Sequence, residues 1–181
     1  MEELSAPTEF PERPSIDPER RTQRAKGRAG EAAEKKYEGR NRSVRVSGPA
    51  GDNVTYLEQN YTNDKEQLVC QICENEMPFR RRDGRYYFEA VQLLDDLAKE
   101  HVAAYVALCP LCAAKFKELV KRDEKQRQRL REDIVNSEEL RMGLELGKES
   151  GSIRFVEKHL LDIRGFLAEE DEQLGTESSS R

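Results

Sequence analysis

The chain has 181 residues, of which 36% are hydrophobic and 37% charged, with a formal net charge of −5. This composition leaves material for one modest core with solvated ends, and it excludes a chain built on membrane-spanning helices, because no apolar run approaches the roughly 18 residues a bilayer requires. The acidic balance argues against a uniformly basic nucleic-acid binder, and the start Met1-Glu2-Glu3 does not read as a secretory signal, so a cytoplasmic location with reduced thiols is expected.

Residues 1–16 carry Pro7, Pro11 and Pro14 among scattered charges. So little apolar surface does not offset the entropy of ordering, and a disordered arm is expected. Residues 17–62 read as a basic helix, a strand and a second helix leading into the core. Asp17 suits an N-cap with Pro18 at the first helical position, and the helix is predicted to run to about Tyr37. Its apolar stripe of Ala25, Ala29, Ala32, Ala33 and Tyr37 is thin, and Gly27 and Gly30 weaken it, so it needs a partner surface. From Arg20 to Arg45 ten basic residues stand against three acidic ones, which makes this stretch locally cationic. Ser43 to Ser47 alternates as a short strand does, and Gly48-Pro49-Ala50-Gly51 is a turn. Asp52 or Asn53 can cap a helix carrying Val54, Leu57 and Tyr61 at helical spacing.

Residues 63–136 hold all four cysteines of the chain, in two matched pairs, Cys70-Gln71-Ile72-Cys73 and Cys109-Pro110-Leu111-Cys112. Between the pairs, Phe79 to Phe88 signals a hairpin in which Asp83-Gly84 would supply the two positive φ angles of a type I′ turn. Val91, Leu94, Ala98 and Val102 mark a helix, and Tyr105-Val106-Ala107-Leu108 leads extended into the second pair. Pro110 opens a helix carrying Leu111, Ala114, Phe116, Leu119 and Val120, which places the second pair at the positive end of a helix dipole. That helix is predicted to continue to about Asn136. Residues 137–168 read as strands at Leu140–Leu146 and Ile153–Val156 around a Gly/Ser turn, then a helix over 157–168 with Leu160, Ile163 and Leu167 inward. Residues 169–181 open on Glu169-Glu170-Asp171-Glu172 and are expected to form an acidic disordered tail.

Two C-x-x-C pairs can close one tetrahedral thiolate site, because two residues between ligands form a tight knuckle that aims both sulfurs at one ion. Structural Zn2+ on Cys70, Cys73, Cys109 and Cys112 is expected, with rubredoxin-like iron and a redox dithiol as the alternatives. The resulting fold class is α+β, a small metal-stabilised core of treble-clef-like order with flanking helices and a C-terminal β-hairpin plus helix. Four thiolates on Zn2+ leave a net charge of about −2. Arg80, Arg81, Arg82 and Arg85 on the hairpin either offset that charge or face phosphate. Phe79, Tyr86, Tyr87 and Phe88 are read chiefly as packing beside the metal, with base stacking as their other use. Neither His101 nor His159 is needed for the site, and satisfied or surface roles are expected for both.

From Cys70 to Lys117 the order and flanking residues resemble the HNH endonuclease fold, in the branch with a four-cysteine zinc site. That family carries a stretch like Tyr-Leu-Glu-Val-His-His-Ile, an Asn before the second pair and a His after its last cysteine. Here Tyr87-Phe88-Glu89-Ala90-Val91-Gln92-Leu93 occupies the first stretch. Val91 and Gln92 stand where the histidines would be, Ala104 and Tyr105 where the Asn would lie, and Ala113 at the helical His position. The resemblance therefore implies an HNH-like scaffold with no catalytic residues, since none of these side chains serves as general base or binds a catalytic metal. The flanks at Tyr56 to Asn63 and Ile153 to Leu160 resemble C-terminal regions of large bacterial proteins with sacsin-like ATPase modules, which implies a place in a multi-component system.

The expected function is that of a zinc-binding module contacting DNA or RNA, or a protein partner of ATPase type. Its candidate nucleic-acid residues are Arg40, Arg42 and Arg45 together with Arg80, Arg81, Arg82 and Arg85. No membrane association and no small-molecule substrate is evident. The alternative is a divergent metal-dependent HNH endonuclease whose acid/base group comes from His101, Glu89, Asp95 or Asp96.

Overall fold

A computed structural model describes residues 8–32, 52–97 and 99–178, with side chains through residue 172. It shows a mixed α+β architecture of five α-helices and two small antiparallel sheets, in the order α1 (Pro18–Glu31), α2 (Asp52–Tyr61), β1 (Glu89–Gln92), β2 (Tyr105–Leu108), α3 (Pro110–Lys115), α4 (Glu124–Asn136), β3 (Arg141–Leu146), β4 (Glu149–Arg154) and α5 (Glu157–Ser178). Apolar side chains from Phe10 to Leu167 form one continuous core in which Leu57, Tyr61, Leu108, Phe116, Phe155 and Phe166 are fully buried. Among the described residues, no helix is long and apolar enough to cross a membrane.

Residues 8–16, expected to be disordered, instead pack on the core as an irregular segment. Phe10 is buried, edge-on to Tyr61 at 5.8 Å, with the Arg154 guanidinium 4.3 Å from its ring. Arg13 donates to the Thr62 carbonyl at 2.7 Å and accepts from the Lys158 amide at 3.1 Å. One aromatic anchor and paired backbone groups are enough to hold a segment whose average composition is polar.

In α1, the Asp17 carboxylate accepts from the Arg20 amide at 2.9 Å and Pro18 takes the first turn, as the sequence implies. The helix ends at Glu31 rather than near Tyr37, because Ala32 turns extended. Its partner surface is α5. Ala25 and Ala29 are buried there, and Arg21–Asp162 and Lys26–Glu172 ion pairs, each at 2.5 Å, flank the seam. The Lys99 ammonium reaches the Gly30 carbonyl at 3.2 Å, a cation at the negative end of α1. Tyr37, the strand expected over 43–47, and Arg40, Arg42 and Arg45 lie outside the described residues.

The α1–α5 seam depends on Gly165. A Cβ there would lie 2.5 Å from the Thr22 carbonyl oxygen and 2.7 Å from the Ala25 Cβ. Gly to Ala inside a helix ordinarily gains up to about 1 kcal/mol. At Gly165 that gain is outweighed by overlap with backbone, and Gly165→Ala should lower unfolding free energy by roughly 1–3 kcal/mol. Gly27, mid-helix with nothing within 4 Å of its Cβ position, should show the opposite sign. Paired urea titrations of the two variants check both.

Three further elements differ from the sequence reading. Glu89–Gln92 is a strand, not the start of a helix through Val102, and it pairs with β2 in the register Val91↔Val106. Val91, Leu93, Leu94 and Leu97 are buried on a strand and an irregular segment, and their spacing suits a helix equally well, so only the availability of β2 decides. The long helix after Pro110 is broken. A π-helical stretch, Phe116–Lys121, follows α3, and then Asp123 turns extended and caps α4 by accepting from the Lys125 and Gln126 amides. Finally, α5 runs ten residues past the predicted end at 168, to Ser178. Its acidic run is held by partners and is no solvated tail: Glu170 is buried and accepts from the Lys99 amide at 3.1 Å, Asp171 pairs with Arg131 at 2.6 Å, and Glu172 pairs with Lys26.

Both hairpin turns use a single positive φ. Gly147 at +75° alone suits a type II′ turn between β3 and β4, which brings the second strand in at Glu149, earlier than expected. In the hairpin at residues 79–88, Gly84 at +84° is the sole positive φ, and the Gly84 amide donates to the Arg81 carbonyl at 3.0 Å. This is a three-residue loop with a glycine bulge, not the expected type I′ turn.

Candidate metal centre

The first cysteine pair sits on a knuckle made by backbone hydrogen bonds. The Cys70 amide donates to the Asn75 carbonyl at 2.9 Å, and the Glu74 amide donates back to the Cys70 carbonyl at 3.0 Å. Closing so tight a turn forces Glu74 to φ +55°, a conformation that few side chains other than Asn, Asp and Gly adopt readily. The second pair follows from β2: Cys109 ends the strand extended, Pro110 opens α3, and the Ala113 amide bonds the Cys109 carbonyl at 2.8 Å.

These two turns bring all four cysteine sulfurs within 4.8 Å of one another, with Cys73 and Cys109 at 4.0 Å. A tetrahedral site with metal–sulfur bonds of about 2.3 Å needs sulfurs roughly 3.8 Å apart, so small side-chain rotations close the set on one ion. Among the described residues this is the one group of three or more His, Cys, Asp or Glu side chains placed to hold a metal. Cys70 and Cys112 are buried and Cys73 is exposed, so the cluster opens to solvent at Cys73.

The sulfurs perturb one another strongly. Hydrogen bonds from the Cys112 and Cys70 thiols hold Cys73 down to about 2, and a hydrogen bond from Cys70 draws Cys109 down to about 6. Cys70 is pushed up by donating to those neighbours and by burial. Cys112 rises to about 12: the Cys70 hydrogen bond lowers it, but donation to Cys73, burial and the charges on Cys73 and Cys109 outweigh that. Four like charges this close do not coexist without a cation, and a metal is what lets all four ionise.

Backbone N–H groups bond the sulfurs, and of the two uses open to the hairpin arginines, offsetting this charge or facing phosphate, the first finds no contact among the described residues. The Cys109 amide donates to the Cys70 sulfur at 3.4 Å, and the amides of Asn75 and Cys112 bond Cys73 and Cys109. Arg80 instead stacks 3.8 Å over Tyr86 and donates to the Gly84 carbonyl, and Arg85 pairs with Glu58 at 2.7 Å. Arg81 lies 5.3 Å over the Tyr87 ring, and Arg82 is exposed at the turn.

Two supporting residues carried no signal of their own in the sequence. Gln71, inside the first C-x-x-C, is fully buried, and its side chain accepts from the Ala107 amide at 2.8 Å and donates to the Arg154 carbonyl at 3.0 Å. Its own amide and carbonyl bond the Ala107 carbonyl and the Arg154 amide. Glu74 accepts from the Arg141 and Arg154 guanidiniums, the latter at 2.9 Å. Burial raises the Glu74 carboxyl, yet these two guanidiniums outweigh it and leave the group below its ordinary range. Together they fasten the knuckle to β2 and to the C-terminal hairpin. The clue was positional, a polar residue between two ligands and an acid just after the second.

The residues that the HNH resemblance places at catalytic positions are accounted for within the fold. Val91 and Ala113 are buried core residues, and Gln92 sits on β1 with a buried Nε2 that has no hydrogen-bond partner among the described residues. The alternative acid/base groups do not converge. Glu89 pairs with Lys117, Asp95 with Lys121 at 2.5 Å and Asp96 with Arg131 at 3.9 Å. His101 accepts from the Ala103 amide at 3.2 Å and stacks 5.1 Å from Phe166.

His159 is a core histidine. Its Nε2–H donates to the Ala103 carbonyl at 2.9 Å, and its Nδ1 accepts from the Tyr61 hydroxyl at 2.6 Å. Burial pushes its pKa down to about 4, against the opposing pull of the Ala103 carbonyl and the Asp162 charge, with Arg21 and His101 adding slightly to the depression. Between about pH 6.5 and 4 the unfolded chain binds a proton that the fold refuses, so stability falls as pH drops through that window and is regained above it. For this fully buried group the loss is about 3 kcal/mol. Ring resonances of His159 that stay constant down to about pH 5 by NMR, while unfolding free energy declines, are the expected result.

Comparison of the chain with family models, with curated proteins and with solved structures gives no match.

Proposed function

We propose that this chain is a zinc-clamped scaffold of HNH-like order without nuclease chemistry, acting as a binding module that contacts nucleic acid through its arginine-bearing hairpin. The observation that carries the reading is the closed set of four sulfurs within 4.8 Å, drawn from a knuckle and a helix start. Closed sites made only of cysteine are structural, because no coordination position is left for water or substrate. Zinc fits the donor set: soft thiolates in a tetrahedral array favour it over magnesium, calcium or manganese. Val91, Gln92 and Ala113, none of them able to relay a proton, support binding without cleavage.

The experiment joins three readouts on one purified sample: metal content, gel shift at low salt, and plasmid nicking with Mg2+ or Mn2+. One zinc per chain, salt-sensitive binding and no nicking are expected, since phosphate neutralisation releases counterions. Nicking abolished by His101→Ala would overturn the non-catalytic reading. Absence of binding at low salt would turn the module toward a protein partner.

A further inference from the structure

We infer that the outer face of the hairpin at residues 79–88 is a stacking platform for unpaired nucleobases, so that the nucleic acid bound under the reading above is single-stranded. The inference rests on that reading and names its ligand class.

The hairpin register opposes Phe79 to Tyr87, Arg80 to Tyr86 and Arg81 to Arg85. Side chains alternate between faces along a strand, so Phe79, Arg81, Arg85 and Tyr87 share one face. The other face is spent within the fold. Tyr86 and Phe88 are buried, the Tyr86 hydroxyl donates to Glu76, and Arg80 covers the Tyr86 ring. On the outer face Phe79 is 52% exposed and stacks on Tyr87 at 5.0 Å with only 10° between the ring planes. Tyr87 takes one side of the Phe79 ring, and about half of the residue's surface stays exposed.

Cations frame that surface. Arg81 lies over Tyr87, two residues and so about 7 Å along the strand from Phe79. Arg82 follows at the turn, and among the described residues neither guanidinium has an ion-pair partner, whereas Arg85 is committed to Glu58. An exposed ring beside unpaired guanidiniums suits a nucleotide, with the base on Phe79 and its phosphates on Arg81 and Arg82. A duplex hides its base faces within its own stack, so it can use the arginines but not the ring. Sequence preference should be weak, because every base has a π-face.

The chain contains no tryptophan and six tyrosines, so Phe79→Trp in the metal-loaded full chain creates a single tryptophan at the platform that can be excited at wavelengths where tyrosine does not absorb. A twelve-nucleotide oligothymidylate should quench that fluorescence, and a duplex of equal length should bind more weakly without quenching. In anisotropy titrations with the same strand, Phe79→Ala should weaken binding about tenfold and Phe79→Tyr should retain it. Arg81→Ala with Arg82→Ala should flatten the salt dependence by about 1.4 in log–log slope, two phosphates on a single strand. Thiolate charge-transfer absorption of the Co2+-loaded variants reports that each is folded. Equal affinity for both probes, with no quenching and no effect of Phe79→Ala, would overturn stacking while leaving phosphate binding in place. Failure to bind either probe would overturn the nucleic-acid reading together with this one.

Discussion

Stripping the metal with a strong chelator should unfold the chain or leave it without a cooperative transition at 25 °C. Structural Zn2+ in small domains contributes an apparent 10–16 kcal/mol or so at neutral pH, against a total stability of about 5–15 kcal/mol for a domain. Zinc held on these four sulfurs would therefore contribute as much as the whole net stability. The geometry explains why the core does not replace it. The knuckle at Cys70–Cys73 and the start of α3 at Cys109 meet through sulfur, and without an ion the thiols are left as an uneven mixture of charged and protonated groups. Cys→Ser at any of the four positions should bring metal stoichiometry well below one and lower unfolding free energy by roughly 5 kcal/mol or more. Far-ultraviolet circular dichroism during urea titration, with and without chelator, provides the check, and superimposable curves would contradict it.

Gln71→Ala should be among the more damaging substitutions outside the cysteines. It removes the partner of the Ala107 amide and of the Arg154 carbonyl in one step, in a position with no access to water. Each buried group left unsatisfied costs about 1–3 kcal/mol, so for the two groups the loss is roughly 2–6 kcal/mol. The four thiols are untouched, and metal should still bind, though about 10–100-fold more weakly because the knuckle keeps only its backbone bonds to Ala107 and Arg154. Gln71→Glu keeps the acceptor, loses the donor and buries a charge, and should be worse than alanine. Hydrogen exchange at the Ala107 amide is the specific readout: it should accelerate in Gln71→Ala while the thiolate–metal spectrum persists.

Where local chemistry dictates structure, the residues announce it. Asp17-Pro18 starts α1, Tyr105 to Leu108 runs as a strand, α4 ends at Asn136, and two C-x-x-C pairs meet at one point. Where structure depends on a distant partner, they do not. Glu89–Gln92 becomes a strand because β2 lies beside it, and Phe10 orders a polar arm because Tyr61 and Arg154 are there to receive it. The acidic end of α5 has the composition of a tail, yet Lys26, Lys99 and Arg131, each far away in sequence, hold it helical. The same rule applies to the site. The cysteine cluster was legible because thiol spacing is a local code, whereas Gln71 and Glu74 matter only through Ala107, Arg141 and Arg154, which no spacing rule connects to them.

The sharpest single measurement is the titration of reduced, metal-free chain with Co2+, followed by displacement with Zn2+. Saturation at one equivalent, with the visible bands and sulfur charge-transfer absorption of a tetrahedral tetrathiolate, and bleaching on Zn2+ addition, is the predicted outcome. Four thiols that instead react freely with an alkylating reagent in the presence of saturating zinc would contradict the closed metal clamp on which the fold and its proposed role both stand.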